Sequence, residues 1–385
     1  MMGREESARL AFRQALQTGQ DFPGRDAATE RLALLDMDSG AGEKALAALE
    51  KRLAVQPNDP VTLTRLGAVC EQLGRWEKAR DAYEAVLRVN SDSADVMARL
   101  ALIYGRSGDP KKGLELAKAA RKQAPADPFV AHALGKLAWQ NGDHGWAVSL
   151  LQESNLGQPG RPAVLYDLAL AYFSVARVQD AEPAMRSALQ ADPNFPSAEA
   201  GGKFLALLEL LKKPGDYQQA ESQAEAVLQN EPDNLPALML LAVTREKQRR
   251  LDEARHAYES ILARYPHFAL AAKRLSILYF EHFGEEQKAL ELAAKARETL
   301  SDDPELAALL GKIAFRRKDY ERSVQLLEQA ARDGRADAEV FYYLGLSYHG
   351  LDHFAECRQA LQKALALNDK DVLAEEARQI LTKLP

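Results

Sequence analysis

A period of 34 residues constrains this chain more than any other property of its sequence. The stretch Pro60 to Asn90, PVTLTRLGAVCEQLGRWEKARDAYEAVLRVN, places Leu63, Leu66, Gly67 and Cys70 at the i, i+3, i+4, i+7 spacing of one helix face. A short Gly-Arg break follows, and then Ala79, Tyr83, Val86 and Leu87 form a second stripe of the same kind. The pattern predicts a helical hairpin. The same hairpin recurs with first residues Asp26, Pro60, Ala94, Pro128, Pro162, Gly201, Leu235, Ala269, Pro304 and Ala338, ten copies in all, the first five at a constant step. Length alone would divide 385 residues into two or three domains. Repetition on this scale instead predicts an all-α array in which each copy buries its apolar face against its neighbours.

Small residues recur where the two helices of a copy must approach closely. In the first helix they are Ala33, Gly67, Ala101, Gly135, Ala169, Ala242, Ser276, Gly311 and Gly345; in the second, Ala45, Ala79, Gly113, Ala147, Ala181, Ala220, Ala254, Ala289, Ser323 and Cys357. Leu208 breaks the first series, and Arg52 stands where alanine usually closes the first copy. Pro57, Pro125, Pro159, Pro193, Pro232 and Pro266 are placed to stop second helices, since proline lacks the amide donor and clashes with the preceding turn.

Composition excludes several classes. A net charge of −6 gives no global attraction to nucleic acid, and the Ala- and Leu-rich, charge-rich balance argues against disorder. Cys70 and Cys357 are separated by most of the array and sit on buried stripes, which makes them small core residues rather than a disulfide or a metal pair. No apolar run reaches membrane-spanning length, and MMGREESARLAF lacks the apolar core of a signal peptide, so the chain as written is expected to be cytoplasmic.

The unit resembles the tetratricopeptide repeat family, with its W-x2-LG-x2-Y, A-x3-F, P signature, from Asp26 to about Asp371; LTRLGAVCEQLGRWEKARDAY and LYDLALAYFSVARVQDA carry it best. The resemblance implies a right-handed superhelical solenoid of about ten hairpins with a C-terminal capping helix. The expected organisation is an N-terminal helix at 1–25, repeats one to five at 26–195, repeats six to ten at 196–370 and the cap at 371–385. Ala8, Phe12, Ala15 and Leu16 reproduce the second half of a repeat without a first half. Either this helix caps the array or the chain is a segment of a longer protein, in which case a periplasmic or cell-envelope location is open. In the cap, Val372, Leu373, Ala377, Ile380 and Leu381 share one side.

Three irregularities interrupt the period. Asn155 to Arg161 is expected to end the fourth copy early, as an ordinary turn rather than a hinge. Pro196 to Ala200 adds five residues, expected to lengthen the next first helix through Lys213, and Phe283 to Glu286 adds one residue to a turn.

No catalytic constellation stands out: there is no Gly-rich phosphate loop, HExxH or CxxC, and His349 and His353 fall across a turn that Gly350 and Asp352 mark. The charged runs Glu246 to Arg250 and Ala314 to Tyr320 read as solvated helix faces. The chain is therefore expected to be no enzyme and to need no cofactor or metal. In the family it resembles, first helices line a concave groove and positions 2, 5, 6, 9, 12 and 13 of each repeat meet the partner. Here those positions supply Arg31, Arg65 and Arg99 as a ladder, then His132, Lys136 and Trp139, Tyr166 and Phe173, Lys273, Arg274 and Phe280, Lys312, Phe315 and Arg316, and Tyr342 and Tyr343. Arginine grips carboxylates and exposed aromatic rings give rigid apolar contact, which suits an extended peptide with acidic and apolar side chains. Against this stand Glu30, Asp38, Glu71 and Asp95, which are placed to neutralise the ladder.

The family's clamp for acidic chaperone tails does not fit, because the corresponding positions read Glu30 with Leu34, Arg65, and Asp95 with Arg99. The expected function is a scaffold or adaptor for a protein or peptide partner. The alternatives are a bacterial cell-envelope scaffold for export or polysaccharide assembly and the substrate-recruiting arm of a larger enzyme. Oligomeric state is left open.

Overall fold

Asp-Pro pairs start several of the helices. In the computed structural model, Asp59, Asp127 and Asp303 each accept an amide hydrogen bond from the first helical turn while the following proline occupies a position that has no amide to satisfy. The structure describes residues 2–17, 22–36, 42–213, 215–332, 334, 336–370 and 372–385, apart from the side chains of 2–6, 27, 30 and 33–36. Asp38 and Asp371, and the side chains of Glu30, Ala33 and Leu34, lie outside the described residues.

Two compact units make up the chain, Met1–Tyr172 with Pro183–Ala198, and Phe173–Glu182 with Glu199–Pro385. The first contains α1 (Met2–Gln17), α2 (Arg25–Asp36), α3 (Gly42–Val55), α4 (Pro60–Gln72), α5 (Trp76–Val89), α6 (Ala94–Arg106), α7 (Pro110–Gln123), α8 (Pro128–Gln140) and α9 (His144–Gly157). The division runs through α10 (Pro162–Ser174) and α11 (Val178–Ala191). The second contains α12 (Ala198–Lys212, from Glu199 on), α13 (Tyr217–Asn230), α14 (Leu235–Lys247), α15 (Leu251–Arg264), α16 (Ala269–Leu278), α17 (Glu286–Thr299), α18 (Pro304–Arg316), α19 (Tyr320–Ala331), α20 (Ala338–Gly350), α21 (Phe354–Leu367) and α22 (Val372–Lys383). Among the described residues the regular structure is entirely helical. Even-numbered helices from α4 to α20 are the first members of hairpins, and consecutive helices pack on one another from α3 to α9 and from α13 to α22.

The hairpins beginning at Pro60, Ala94, Pro128, Leu235, Pro304 and Ala338 share one turn construction. A residue in the left-handed conformation follows the first helix, and the next amide reaches back to a carbonyl five residues earlier, as in Arg75 N to Cys70 O (2.8 Å), Asp143 N to Ala138 O (3.0 Å) and Asp319 N to Ala314 O (3.0 Å). Glycine fills the left-handed position at Gly74, Gly108 and Gly142, but Ala176, Arg249, Lys318 and Asp352 hold it elsewhere at φ between 58° and 63°. The prolines act as expected: α3, α7, α9, α11, α13 and α15 each end two residues before one.

Close packing within a hairpin rests on the small first-helix residue. A Cβ on Gly67 would lie 2.4 Å from the Tyr83 ring, and one on Gly311 or Gly345 would lie 2.7 Å from Leu327 or Leu361. Leu208 is accommodated because the position equivalent to Tyr83 is there the small, fully buried Ala224. Consecutive hairpins are tied by polar bonds as well. Tyr104, Tyr279 and Tyr348 donate to Glu84 (2.6 Å), Glu259 (2.5 Å) and Glu328 (2.6 Å) on the preceding second helix, and Gln152 donates to Tyr172 (2.9 Å) at the equivalent place. Burial, and then the adjacent carboxylate, push the Tyr279 hydroxyl up to about 12.

Several expectations need correction. The fourth copy does not end early, because α9 has 14 residues like most second helices. The inserted residues before the sixth copy extend α12 at its N-terminal end, from Ala198, and the helix stops at Lys212. The extra residue of the eighth copy is absorbed as a π-helical turn at Tyr279–Phe283, closed by Gly284, rather than as a longer loop. In α22, Ala374 and Ala377 are buried and Leu373, Ile380 and Leu381 pack on the last hairpin, whereas Val372 is exposed.

Candidate functional site

First-helix side chains at the partner-facing positions include charges held by internal partners, half-buried rings and part of the lining of an apolar depression. The arginine ladder belongs to the first of these. Arg31 lies 3.4 Å from Asp59, and Arg99 is held by Asp95 (3.1 Å) and Glu71 (3.7 Å) beneath the Phe129 ring, 5.2 Å from its centroid. Arg65 is half-buried. Glu71 also accepts the Tyr83 hydroxyl at 2.5 Å, so a buried tyrosine, a carboxylate and the next repeat's arginine form one cluster. The second unit repeats it with Tyr258, Glu246 (2.6 Å) and Arg274 (3.7 Å). Burial raises the carboxyls of Glu71 and Asp95 above their usual range despite Arg99, and Asp95 Oδ1 is buried without a hydrogen bond.

In the repeat beginning at Pro162 the ladder position is Asp167. It is buried and bonded to His132 Nε2 (2.7 Å) and Lys136 Nζ (3.1 Å). Burial would raise its carboxyl, but Lys136 and His132 outweigh that effect and hold it below the usual value. Lys273 bonds Asp303 (2.6 Å) and Glu305 (2.8 Å), and Lys312 bonds Glu339 (2.7 Å). His132, Lys136, Lys273, Arg274 and Lys312 thus each have a carboxylate partner within the chain, where the sequence reading placed them facing a ligand.

The aromatic candidates divide similarly. Phe173, 1% exposed, packs on Phe204 and Phe268 with ring centroids 5.7 and 5.6 Å away. Phe280 is buried with the Arg316 guanidinium 4.2 Å above it, and Tyr342 is buried and donates to Glu376. Phe280 and Tyr342 offer no open face, contrary to expectation, while Phe173 keeps only a sliver of surface. Trp139 beside His144, Tyr166 beside Phe195, and Phe315 beside Tyr343 remain half-buried. Cys70 and Cys357 are free, buried thiols, and burial raises both. His349 lies in the last turn of α20 while His353 precedes α21.

The second unit brings Phe173, Lys273 and Arg274 together around a depression of about 210 Å³. Val178, Leu208, Leu211, Lys212, Met239, Val243 and Leu270 complete its lining, so the first helices α10, α12, α14 and α16 all contribute, with the start of α11. The charged and aromatic list missed most of them. Met239, Val243 and Leu270 occupy partner-facing positions 5, 9 and 2 of their repeats, and aliphatic character at those positions was the available signal.

Among the described residues no group of three His, Cys, Asp or Glu could hold a metal ion, and no helix is long and apolar enough to cross a membrane. Comparison with known proteins gives one consistent picture. The chain is 24% identical over 349 residues to Protein CTR9 homolog of Arabidopsis thaliana, covering 86% of this chain and 31% of that protein. It is 24% identical over 377 residues to Cellulose synthase operon protein C of Pseudomonas fluorescens (strain SBW25), covering 95% of this chain and 27% of that one. It therefore spans about a third or less of the length of these relatives. The Cut9 and Hcn1 complex of the APC/C aligns over 93% of this chain and 91% of the solved chain, at 13% identity and a TM-score of 0.46. Tetratricopeptide repeat profiles match residues 71–128, 132–196, 211–257, 246–313 and 338–371, more than half of the sequence, and the chain belongs to the tetratricopeptide repeat family.

Proposed function

We propose that this chain is a non-catalytic scaffold that holds a partner protein against its first helices. Tetratricopeptide repeat proteins generally mediate protein–protein interaction. The observation that carries the reading here is the depression lined chiefly by four first helices, where Met239, Val243 and Leu270 stand at partner-facing positions. Arg99, Lys136, Lys273 and Lys312 on first helices are tied into internal pairs, which favours recognition by shape and apolar contact.

The test is capture from an extract of the source cells with the full chain immobilised, beside a heat-unfolded control. One or more proteins retained by the folded chain alone, at both 0.1 and 0.5 M salt, support the scaffold. Equal retention by both, or retention only of nucleic acid that salt releases, overturns it.

A second reading is a bacterial cell-envelope scaffold for export or polysaccharide assembly. Its support is the likeness to Cellulose synthase operon protein C, which covers nearly all of this chain and a minor part of that protein. Fractionation of the source cells separates the two readings: a soluble cytoplasmic pool supports the first, and an envelope-associated pool supports the second.

A further inference from the structure

We infer that the depression between α10, α12, α14 and α16 seats one large apolar side chain of the partner, leucine, methionine or phenylalanine, with a neighbouring carboxylate of the partner set against Lys212 and Arg274. This rests on the scaffold reading and names the chemistry of its partner.

Size sets the first limit. At about 210 Å³ the space lies below the roughly 300–1,000 Å³ of small-molecule sites, which suits a single side chain of a longer ligand. Its lining sets the second. Phe173, Leu208, Met239 and Val243 are buried and form an apolar floor, while Leu211 and Leu270 are half-buried at its edge. A polar anchor would lose its hydrogen bonds to water there without replacement.

Charge supplies the remaining argument. Three cations and no carboxylate line the space. In two of the internal pairs behind it the cation is the more exposed partner: Lys212 is 44% exposed against 20% for Glu182, and Arg274 is 32% exposed against 18% for Glu246. An ammonium has three donors and a guanidinium five, so one internal carboxylate each leaves donors for a ligand. Lys273 is different, being 14% exposed and bonded to Asp303 and Glu305. Phe280, on another first helix of the second unit, lacks such an opening, since Arg316 covers it.

The test uses the full chain and a random 12-residue peptide library displayed on phage, followed by affinity measurements on the selected peptides. The expected result is a consensus pairing Leu, Met or Phe with an adjacent Asp or Glu. Binding should weaken about tenfold or more in Leu270→Trp, which fills the space, and several-fold in Lys212→Glu, at an exposed site. Both variants should keep the parent's circular dichroism melt. Peptides that bind the parent and Leu270→Trp equally, or a consensus without an apolar anchor, overturn the inference. So does decanoate binding that Leu270→Trp abolishes when no peptide is selected, because the space would then belong to small amphiphiles. Extract proteins captured equally by the parent and Leu270→Trp also overturn it while leaving the scaffold standing, whereas capture of none by the parent removes the scaffold itself.

Discussion

The hydroxyl of Tyr258, on a ring with no exposed surface, donates a 2.6 Å hydrogen bond to Glu246 of the same hairpin. Arg274 of the next hairpin approaches the same carboxylate, so one bond in the core sets where a partner-facing cation stands. Tyr258→Phe should cost about 1.5–2 kcal/mol, because the carboxylate keeps its burial and loses its shortest partner. Tyr258→Ala should cost about 3–5 kcal/mol through the added cavity. Urea unfolding followed by circular dichroism checks both.

Asp167→Asn should destabilise the first unit by about 3 kcal/mol at pH 7, since His132 and Lys136 lose their anion. The folded carboxyl titrates below its unfolded value, so its stabilisation is complete above about pH 4 and disappears as the pH falls through the lower folded value. The gap between parent and variant unfolding midpoints should therefore close as the pH is lowered from 5 toward 2.

Arg99→Ala tests a shift of opposite sign. Glu71 and Asp95 already titrate above their usual values, chiefly because they are buried, and without the guanidinium their charged forms are disfavoured further. The loss should be about 1–2 kcal/mol at pH 7 and should shrink as the pH falls through the raised folded values, where both carboxyls become neutral. A loss that stays constant or grows from pH 7 to pH 4.5 would contradict the arrangement.

Gly67→Ala should cost about 2 kcal/mol, because the added methyl meets the Tyr83 ring at 2.4 Å and the ring is enclosed by the core. Combining it with Tyr83→Leu should recover part of that loss, since Gly135, Gly311 and Gly345 face leucine at the equivalent position. A double-mutant cycle on unfolding midpoints reads the recovery.

Lys318→Gly should stabilise the second unit by about 0.5–1 kcal/mol, as a left-handed residue with a side chain costs roughly 1–2 kcal/mol and glycine returns part of that in chain entropy. Gly74→Ala, at the same turn position, should destabilise the first unit by a similar amount. Thermal melts of both variants decide it.

Much of the fold is legible in the residues. Pro60, Ala94, Pro128, Pro162, Leu235, Ala269, Pro304 and Ala338 begin both the sequence repeats and the helices, because the apolar stripe, the Asp-Pro start and the proline stop all act within a few residues of chain. The partner-facing surface is far less legible. Glu71 and Asp95 could be read as neutralising Arg99, and they do, but nothing local reveals that Asp303, 30 residues after Lys273, holds that lysine. Phe280 falls at an open position of the repeat yet is closed over by Arg316.

By itself the sequence determined the helices, their turns, the hairpin register and the family, since each follows from short-range periodicity and from backbone preferences of proline, aspartate and glycine. Only the tertiary structure decided which charges were already paired, which rings were covered, and where Phe173, Met239, Val243 and Leu270 left an opening. Those outcomes depend on side chains of successive hairpins meeting across tens of residues, where a single change of size or charge redirects the contact and leaves the helical pattern intact.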